Sequence, residues 1–94
     1  MLFKNLRRKL GPHDRYWEFF NPYVKDDPVT RSLADDLADI YRDIQPGLKL
    51  YRYGSKGARG AAIWNWRFGL TSHWGHHATD ALRALQQLRS EYRL

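Results

Sequence analysis

Residues 60–94, GAAIWNWRFGLTSHWGHHATDALRALQQLRSEYRL, decide the fold of this chain. Apolar side chains recur here at steps of three and four residues, which places them on one face of a helix. They are Ile63, Trp66, Leu70, Trp74, Ala81, Leu85 and Leu88. The spacing predicts a C-terminal helix over 60–92, either continuous or as two nearly collinear helices with a kink near Gly69 or Gly75. The rest of the chain must pack against its apolar face.

A second long helix is predicted over residues 28–53. The acidic pair before Pro28 is a typical helix start, because an aspartate caps the first turn and proline suits the first helical position. The predicted buried stripe includes Leu37, Ile40 and Ile44. Pro46-Gly47 should break or kink this helix. Residues 54–60, GSKGARG, then predict a flexible glycine-rich loop between the two long helices.

The first 25 residues predict short N-terminal helices that are rich in basic and aromatic side chains. Residues 2–10 form an amphipathic pattern that should dock on the rest of the domain, since so short a helix is marginal alone. Residues 13–23, HDRYWEFFNPY, predict another short helix with an aromatic edge. The predicted fold is therefore all-α: a single domain, residues 1–94, in which two long helices pack together as a small helical bundle with short N-terminal helices.

Composition narrows the classes of function. The chain of 94 residues has no cysteine, which excludes disulfides, thiolate metal sites and cysteine nucleophiles. No apolar run approaches the roughly 20 residues of a membrane-spanning helix, and the start, MLFKNLRRKL, lacks the apolar core of a secretory signal. These features predict a cytoplasmic protein without a transmembrane segment.

The net charge of +6 is unevenly distributed. Residues 1–25 and 49–94 are basic, whereas residues 26–48 are acidic, so much of the charge can be neutralised within the fold. An alternative is a nucleic-acid-binding protein whose N-terminal arm and glycine-rich loop contact phosphates. Its candidate contacts are Lys4, Arg7, Arg8, Lys9, Lys56 and Arg59.

The sharpest chemical hypothesis is a metal site made by both long helices. His73 and His77 lie one helical turn apart, whereas His76 points away from them. Carboxylates recur along the border of the apolar face of the preceding helix. If the two helices pack side by side, these carboxylates could complete a ligand shell of histidines and aspartates for zinc, iron or manganese. They are Asp36, Asp39 and Asp43.

The alternative for the same residues is a polar network without a metal, because buried cationic side chains need partners. In that interpretation the aspartates satisfy His77 and Arg67, both of which the helical phase places on the apolar face. No Glu-x-x-His, His-Glu-x-x-His or Gly-x-Ser-x-Gly pattern is present to indicate catalysis. The first hypothesis for function is thus a non-enzymatic interaction module without a cofactor, which contacts a protein partner or a second copy of itself.

Three motifs resemble those of a bacterial family, the domain of unknown function numbered 5063. They are residues 32–41, SLADDLADIY, the pair Trp74-Gly75, and residues 81–85, ALRAL. The resemblance covers about residues 30–88 and implies a helical fold without an assigned activity. It also implies that Gly75 lets its helix approach the acidic helix closely, with Trp74 filling the seam between them. The chain departs from the family pattern in Pro46-Gly47 and in the extra histidines after Trp74.

Overall fold

A computed structural model describes residues 2–92 of the chain; Met1 and residues 93–94 of the predicted domain lie outside the described part. Within that part, four α-helices pack together beside one small antiparallel sheet, which confirms a small helical bundle. In chain order the elements are α1 (Leu2–Leu10), a 3₁₀ turn (Gly11–Asp14), β1 (Arg15–Glu18), β2 (Val29–Ser32), α2 (Leu33–Tyr53), α3 (Lys56–Ser72) and α4 (Trp74–Tyr92). No helix of the described residues is long and apolar enough to cross a membrane.

The prediction of a short helix over 13–23 is wrong, because residues 15–18 form a strand of the sheet. β1 pairs antiparallel with β2, with Tyr16 opposite Arg31 and Trp17 opposite Thr30. Aromatic and β-branched residues favour β-strands. In the paired strands, successive side chains point to opposite faces of the sheet. Tyr16 is partly buried on the inner face, whereas Trp17 is exposed on the outer face.

Helix α2 begins at Leu33 rather than at the predicted Pro28. The Ser32 hydroxyl caps it by accepting the Asp35 N–H at 3.2 Å. Asp14, only 2% exposed, accepts hydrogen bonds from the Ser32 hydroxyl and the Ala34 N–H, both at 2.8 Å. This buried carboxylate fixes the start of α2 beside the end of the 3₁₀ turn, because it satisfies donors that a helix N-terminus leaves unpaired.

Helix α2 continues through Pro46 and Gly47 to Tyr53, so the chain does not break there. Gly47 is buried beneath the indole of Trp66 from α3, and a Cβ at this glycine would lie 2.3 Å from the indole nitrogen. That nitrogen donates a hydrogen bond to the Ile44 carbonyl at 3.1 Å. Gly47 therefore sets the close approach of α2 and α3.

The predicted loop over 54–60 is shorter than expected. Ser55 caps α3 by accepting the Ala58 N–H at 3.1 Å, and residues from Lys56 onward are helical. Gly54, with φ of 90°, makes the turn after α2, in a left-handed conformation that glycine tolerates best.

The predicted C-terminal helix is divided at His73, which has φ of −148° and ψ of −73° and leaves the helical conformation. Both resulting helices, α3 and α4, pack against α2. Three residues of the predicted apolar face are at least 38% exposed, namely Ile63 and Leu70 on α3 and Leu85 on α4. Trp66 and Trp74 are partly buried, and Leu37, Ile40 and Ile44 are partly buried on α2. The fully buried apolar residues are Leu33, Ala34, Ala38, Ala62 and Ala81.

The close contact of Gly75 also differs from the one the family resemblance implies. A Cβ at Gly75 would lie 1.9 Å from the Leu70 carbonyl oxygen, so the nearest contact of this glycine is with the end of α3. The Trp74 indole lies on Gly69 and donates from Nε1 to the Trp66 carbonyl at 3.1 Å. Trp74 therefore fills the α3–α4 junction.

Gly47→Ala should lower the free energy of unfolding by about 1–3 kcal/mol, because the added methyl group overlaps a hydrogen-bonded indole that stacks on Tyr51. Urea denaturation measures the difference. Gly57→Ala is the matched control: its Cβ would meet nothing within 4 Å, and alanine favours a helix by up to about 1 kcal/mol. Equal stability of the two variants would contradict the close packing at Gly47.

Candidate metal centre

The site lies where α2 packs against the α3–α4 junction. The helical period places Asp36, Asp39 and Asp43 on successive turns of α2, and the structure brings them to His73 at the junction and His77 on α4. All five residues singled out as candidate ligands thus meet in one cluster. Their roles in it differ.

Three ligand atoms face one another at the centre of the cluster. His77 Nε2 lies 3.3 Å from His73 Nε2 and 3.3 Å from Asp39 Oδ2. One ligand atom from each of these residues lies within 4.8 Å of the others. Two ligand atoms that each lie about 2.1 Å from a tetrahedral metal are about 3.4 Å apart, so the two distances from His77 Nε2 match a shared ion.

The remaining aspartates bind the outer side of each imidazole. His77 Nδ1 lies 2.8 Å from Asp36 Oδ1, and His73 Nδ1 is hydrogen-bonded to Asp43 Oδ2. A carboxylate at Nδ1 favours the tautomer with the proton there, which leaves Nε2 with a free lone pair. Asp36 and Asp43 therefore orient the two imidazoles from their Nδ1 sides, whereas Asp39 lies on the Nε2 side of His77.

Asp36 is 2% exposed and has a second partner in β1, the Tyr16 hydroxyl, which donates to Asp36 Oδ2. Burial, followed by the hydrogen bond to Asp36, raises the pKa of Tyr16 well above its ordinary value. The phenol thus stays protonated and remains a donor. Similarly, the hydrogen bond to Asp43 raises the pKa of His73.

The site opens into a groove between β1 and α4. Both histidines line this groove, together with Tyr16, Glu18, Arg31 and Asp80. Arg31 Nε donates to Glu18 Oε1 at 2.6 Å. Burial and the neighbouring carboxyl of Asp80 raise the pKa of Glu18, and Arg31 opposes that shift. The strand residues of this groove were missed in the sequence, because their segment has an aromatic spacing that fits a helix as well as a strand.

Arg67 and His76 lie outside this cluster. Arg67 is exposed on the outer side of α3, next to Trp64 and Phe68, so its predicted place in a buried polar network is wrong. Ile63 and Leu70, on the same side of α3, are exposed as well, whereas the side that carries Ala62 and Trp66 faces inward. His76 is exposed, as predicted from the helical wheel.

The predicted nucleic-acid contacts lie in two separate groups. In the first group, on α1, Arg7 Nε lies 4.0 Å from Asp14 Oδ2, beside the first turn of α2. In the second group, Arg59 lies over Tyr51 in the last turns of α2. The two positions along α2 are roughly 25 Å apart at 1.5 Å per residue. The other predicted contacts are Lys4, Arg8 and Lys9 on α1 and Lys56 at the start of α3. Nucleic-acid binding stays a prediction.

Fold and site together define a small helical domain with a candidate metal centre of two histidines and one aspartate. The sequence model of the family described as Domain of unknown function (DUF5063) matches residues 1–91. The chain therefore belongs to this family, as its motifs indicated. Searches of curated proteins and of solved structures gave no significant match.

Proposed function

We propose that this domain binds one divalent transition-metal ion through Asp39 Oδ2, His73 Nε2 and His77 Nε2. The observation that supports this function is that one ligand atom from each of three side chains lies within 4.8 Å of the others, while a carboxylate binds the Nδ1 side of both imidazoles. Such carboxylate–histidine pairs are typical of protein metal sites, where the outer carboxylate orients the ring and raises the basicity of the ligand.

Electrostatics favour a cation at this point. With Nδ1 protonated on both rings, the two Nε2 atoms and the Asp39 oxygen are all acceptors, and acceptors 3.3 Å apart repel one another unless a proton or a metal lies between them. A proton satisfies one such pair, whereas a metal ion satisfies all three atoms. Two nitrogens and one oxygen suit zinc, iron or manganese, and zinc binds such ligands more tightly than the other two.

Metal analysis tests this proposal directly. The protein is purified with a cleavable tag that lacks histidine, stripped with chelator and titrated with zinc in a calorimeter. We expect one zinc per chain, and the same stoichiometry from elemental analysis of the reloaded protein. A folded protein that binds no zinc, manganese or iron would leave the cluster as a metal-free polar network.

Asp36→Asn should weaken zinc binding about 10- to 100-fold while all three ligands remain. The amide keeps an oxygen for the Nδ1–H of His77 but removes the charge that strengthens the ligand. Competition with a chromophoric chelator measures the affinity. The matched control is Asp35→Asn, one residue earlier on the exposed side of α2. Equal affinities for both variants would remove Asp36 from the outer shell.

The second candidate function is self-association or binding of a protein partner, favoured by exposed aromatic residues on α3. Trp64 and Phe68 stack at 5.2 Å between ring centroids and are 65% and 58% exposed. Apolar surface of this kind is often covered by another chain. Light scattering of wild type and Trp64→Ser tests self-association: a dimer that the substitution dissociates supports it, and a monomeric wild type contradicts it. The cytoplasmic location also stays a prediction.

A further inference from the structure

The hairpin formed by β1, β2 and the loop between them faces the helices with the inward side chains of β1. These are Tyr16 and Glu18, since the alternate residues of the strand are exposed. Glu18 pairs with Arg31 inside the hairpin at 2.6 Å and faces the like-charged carboxyl of Asp80 on α4. The Tyr16 hydroxyl instead donates to Asp36 Oδ2 on α2. Tyr16 therefore forms a hydrogen bond that attaches β1 to the helices.

Asp36 carries this attachment to the candidate metal centre. Its carboxylate is buried, and while Oδ2 accepts the Tyr16 hydroxyl, Oδ1 lies 2.8 Å from His77 Nδ1. The two oxygens belong to one planar group, so a rotation that loses one contact also moves the other. His77 Nε2, on the far side of the imidazole, lies 3.3 Å from Asp39 Oδ2. Direct contacts thus run without interruption from the strand to a proposed ligand atom.

The two histidines of the site differ in this respect. His73 is hydrogen-bonded to Asp43, and 53% of its side chain is exposed. His77 is bound by Asp36, which the hairpin also contacts, and 22% of its side chain is exposed. A change at Tyr16 should therefore act on His77 and leave the orientation of His73 as it is.

The following step rests on the proposed metal site. We propose that Tyr16 is a positioning residue of that site: through Asp36 it orients His77, so that docking of the hairpin and binding of the metal strengthen each other. Such coupling is reciprocal. If the docked hairpin strengthens zinc binding by a given factor, bound zinc favours the docked hairpin by the same factor.

Tyr16→Phe tests the first half of this coupling, because it keeps the ring and removes the donor. We expect zinc affinity to fall about 3- to 10-fold, less than for the loss of a carboxylate that touches the imidazole directly. Competition with a chromophoric chelator measures the affinity. The matched control is Tyr23→Phe, which removes a hydroxyl that is 96% exposed in the loop of the same hairpin. It should bind zinc as wild type does.

Nitrogen-15 spectra of the histidine rings distinguish positioning from a general loss of structure. In zinc-loaded Tyr16→Phe we expect the Nδ1–H signal of His77 to shift and that of His73 to stay in place. Combining Tyr16→Phe with Asp36→Asn tests the route: if Tyr16 acts through Asp36, the double variant should bind zinc within about twofold of Asp36→Asn alone. Losses that multiply in full would contradict that route.

Hydrogen exchange of wild type tests the second half. Backbone amides of the β1–β2 ladder that exchange through opening of the hairpin alone are slowed by zinc only if opening and metal binding are coupled. We expect zinc to slow them about 3- to 10-fold in wild type and Tyr23→Phe, the factor expected for zinc affinity, and to slow them less in Tyr16→Phe.

The outcomes separate this proposal from the metal site. A folded protein that binds no zinc, manganese or iron contradicts the metal site itself. Equal zinc affinity in wild type, Tyr16→Phe and Tyr23→Phe overturns the role of Tyr16 and leaves the metal site standing. If Tyr16→Phe does not fold, hydrogen exchange of wild type decides, because hairpin amides that zinc does not slow would overturn the coupling.

Discussion

His73→Ala and His77→Ala should each weaken zinc binding at least 100-fold relative to wild type. Each substitution removes one of three protein ligands from a site whose Nε2 atoms are 3.3 Å apart. A 100-fold loss corresponds to about 2.7 kcal/mol of binding free energy, which is modest for an imidazole–metal bond. Chelator competition at constant pH and ionic strength gives the affinities.

His76→Ala is the matched control, since His76 lies between them in sequence and is exposed. It should bind zinc as wild type does. Far-UV circular dichroism of the metal-free variants checks that the helices remain, so that lost affinity is not lost folding. If all three histidine variants bound zinc equally, the site would not be the one that Asp39, His73 and His77 form.

The meeting of these residues was predictable, because the helical period fixes spacing within a helix. Once α2 lies against the C-terminal helices, carboxylates on one stripe can meet histidines four residues apart. The different positions of Asp39, beside His77 Nε2, and of Asp36 and Asp43, beside the Nδ1 atoms, were not predictable. They depend on ring orientation, which the position of each imidazole in the tertiary structure sets.

The position of the break in the C-terminal helix could not be predicted from the sequence. Gly69 and Gly75 both suggested a kink, and the chain instead leaves the helix between them at His73. The two glycines have a different role, as close contacts for Trp74 and for the Leu70 carbonyl. Because the turn depends on these tertiary contacts, helical periodicity could not locate it.

The hairpin was missed for a different reason. The β1 sequence, RYWE, fits either a helix or a strand, and its partner β2 lies beyond the ten residues 19–28. Pairing across such a loop is a tertiary interaction that a local pattern does not reveal. The groove, with Glu18 and Arg31 on its strand side, therefore became visible only in the structure.

Trp74→Ala should lower the free energy of unfolding by about 3–5 kcal/mol, a loss large enough to unfold much of so small a domain. The indole fills the junction of α3 and α4, lies on Gly69 and donates to the Trp66 carbonyl at 3.1 Å. Trp74→Phe retains most of the ring but loses the hydrogen bond, so it should cost less than Trp74→Ala. Urea denaturation, followed by circular dichroism, compares the variants.

Trp64→Ala is the control for loss of an indole, because Trp64 is 65% exposed and should contribute less than about 1 kcal/mol. Trp74→Ala with a stability near that of Trp64→Ala would show that the junction does not depend on the indole.

Zinc should distinguish loss of packing from damage to the metal site. At a free concentration 100 times its dissociation constant, a metal that binds only the folded state adds about 2.7 kcal/mol to stability. Trp74 directly follows His73, a proposed ligand, so a collapsed α3–α4 junction would displace that imidazole from Asp43 and from His77. At that same zinc concentration we therefore expect a smaller gain in Trp74→Ala than in wild type, whereas Trp64→Ala should gain as much as wild type. An equal gain in all three proteins would mean that the position of His73 is set by α2 alone.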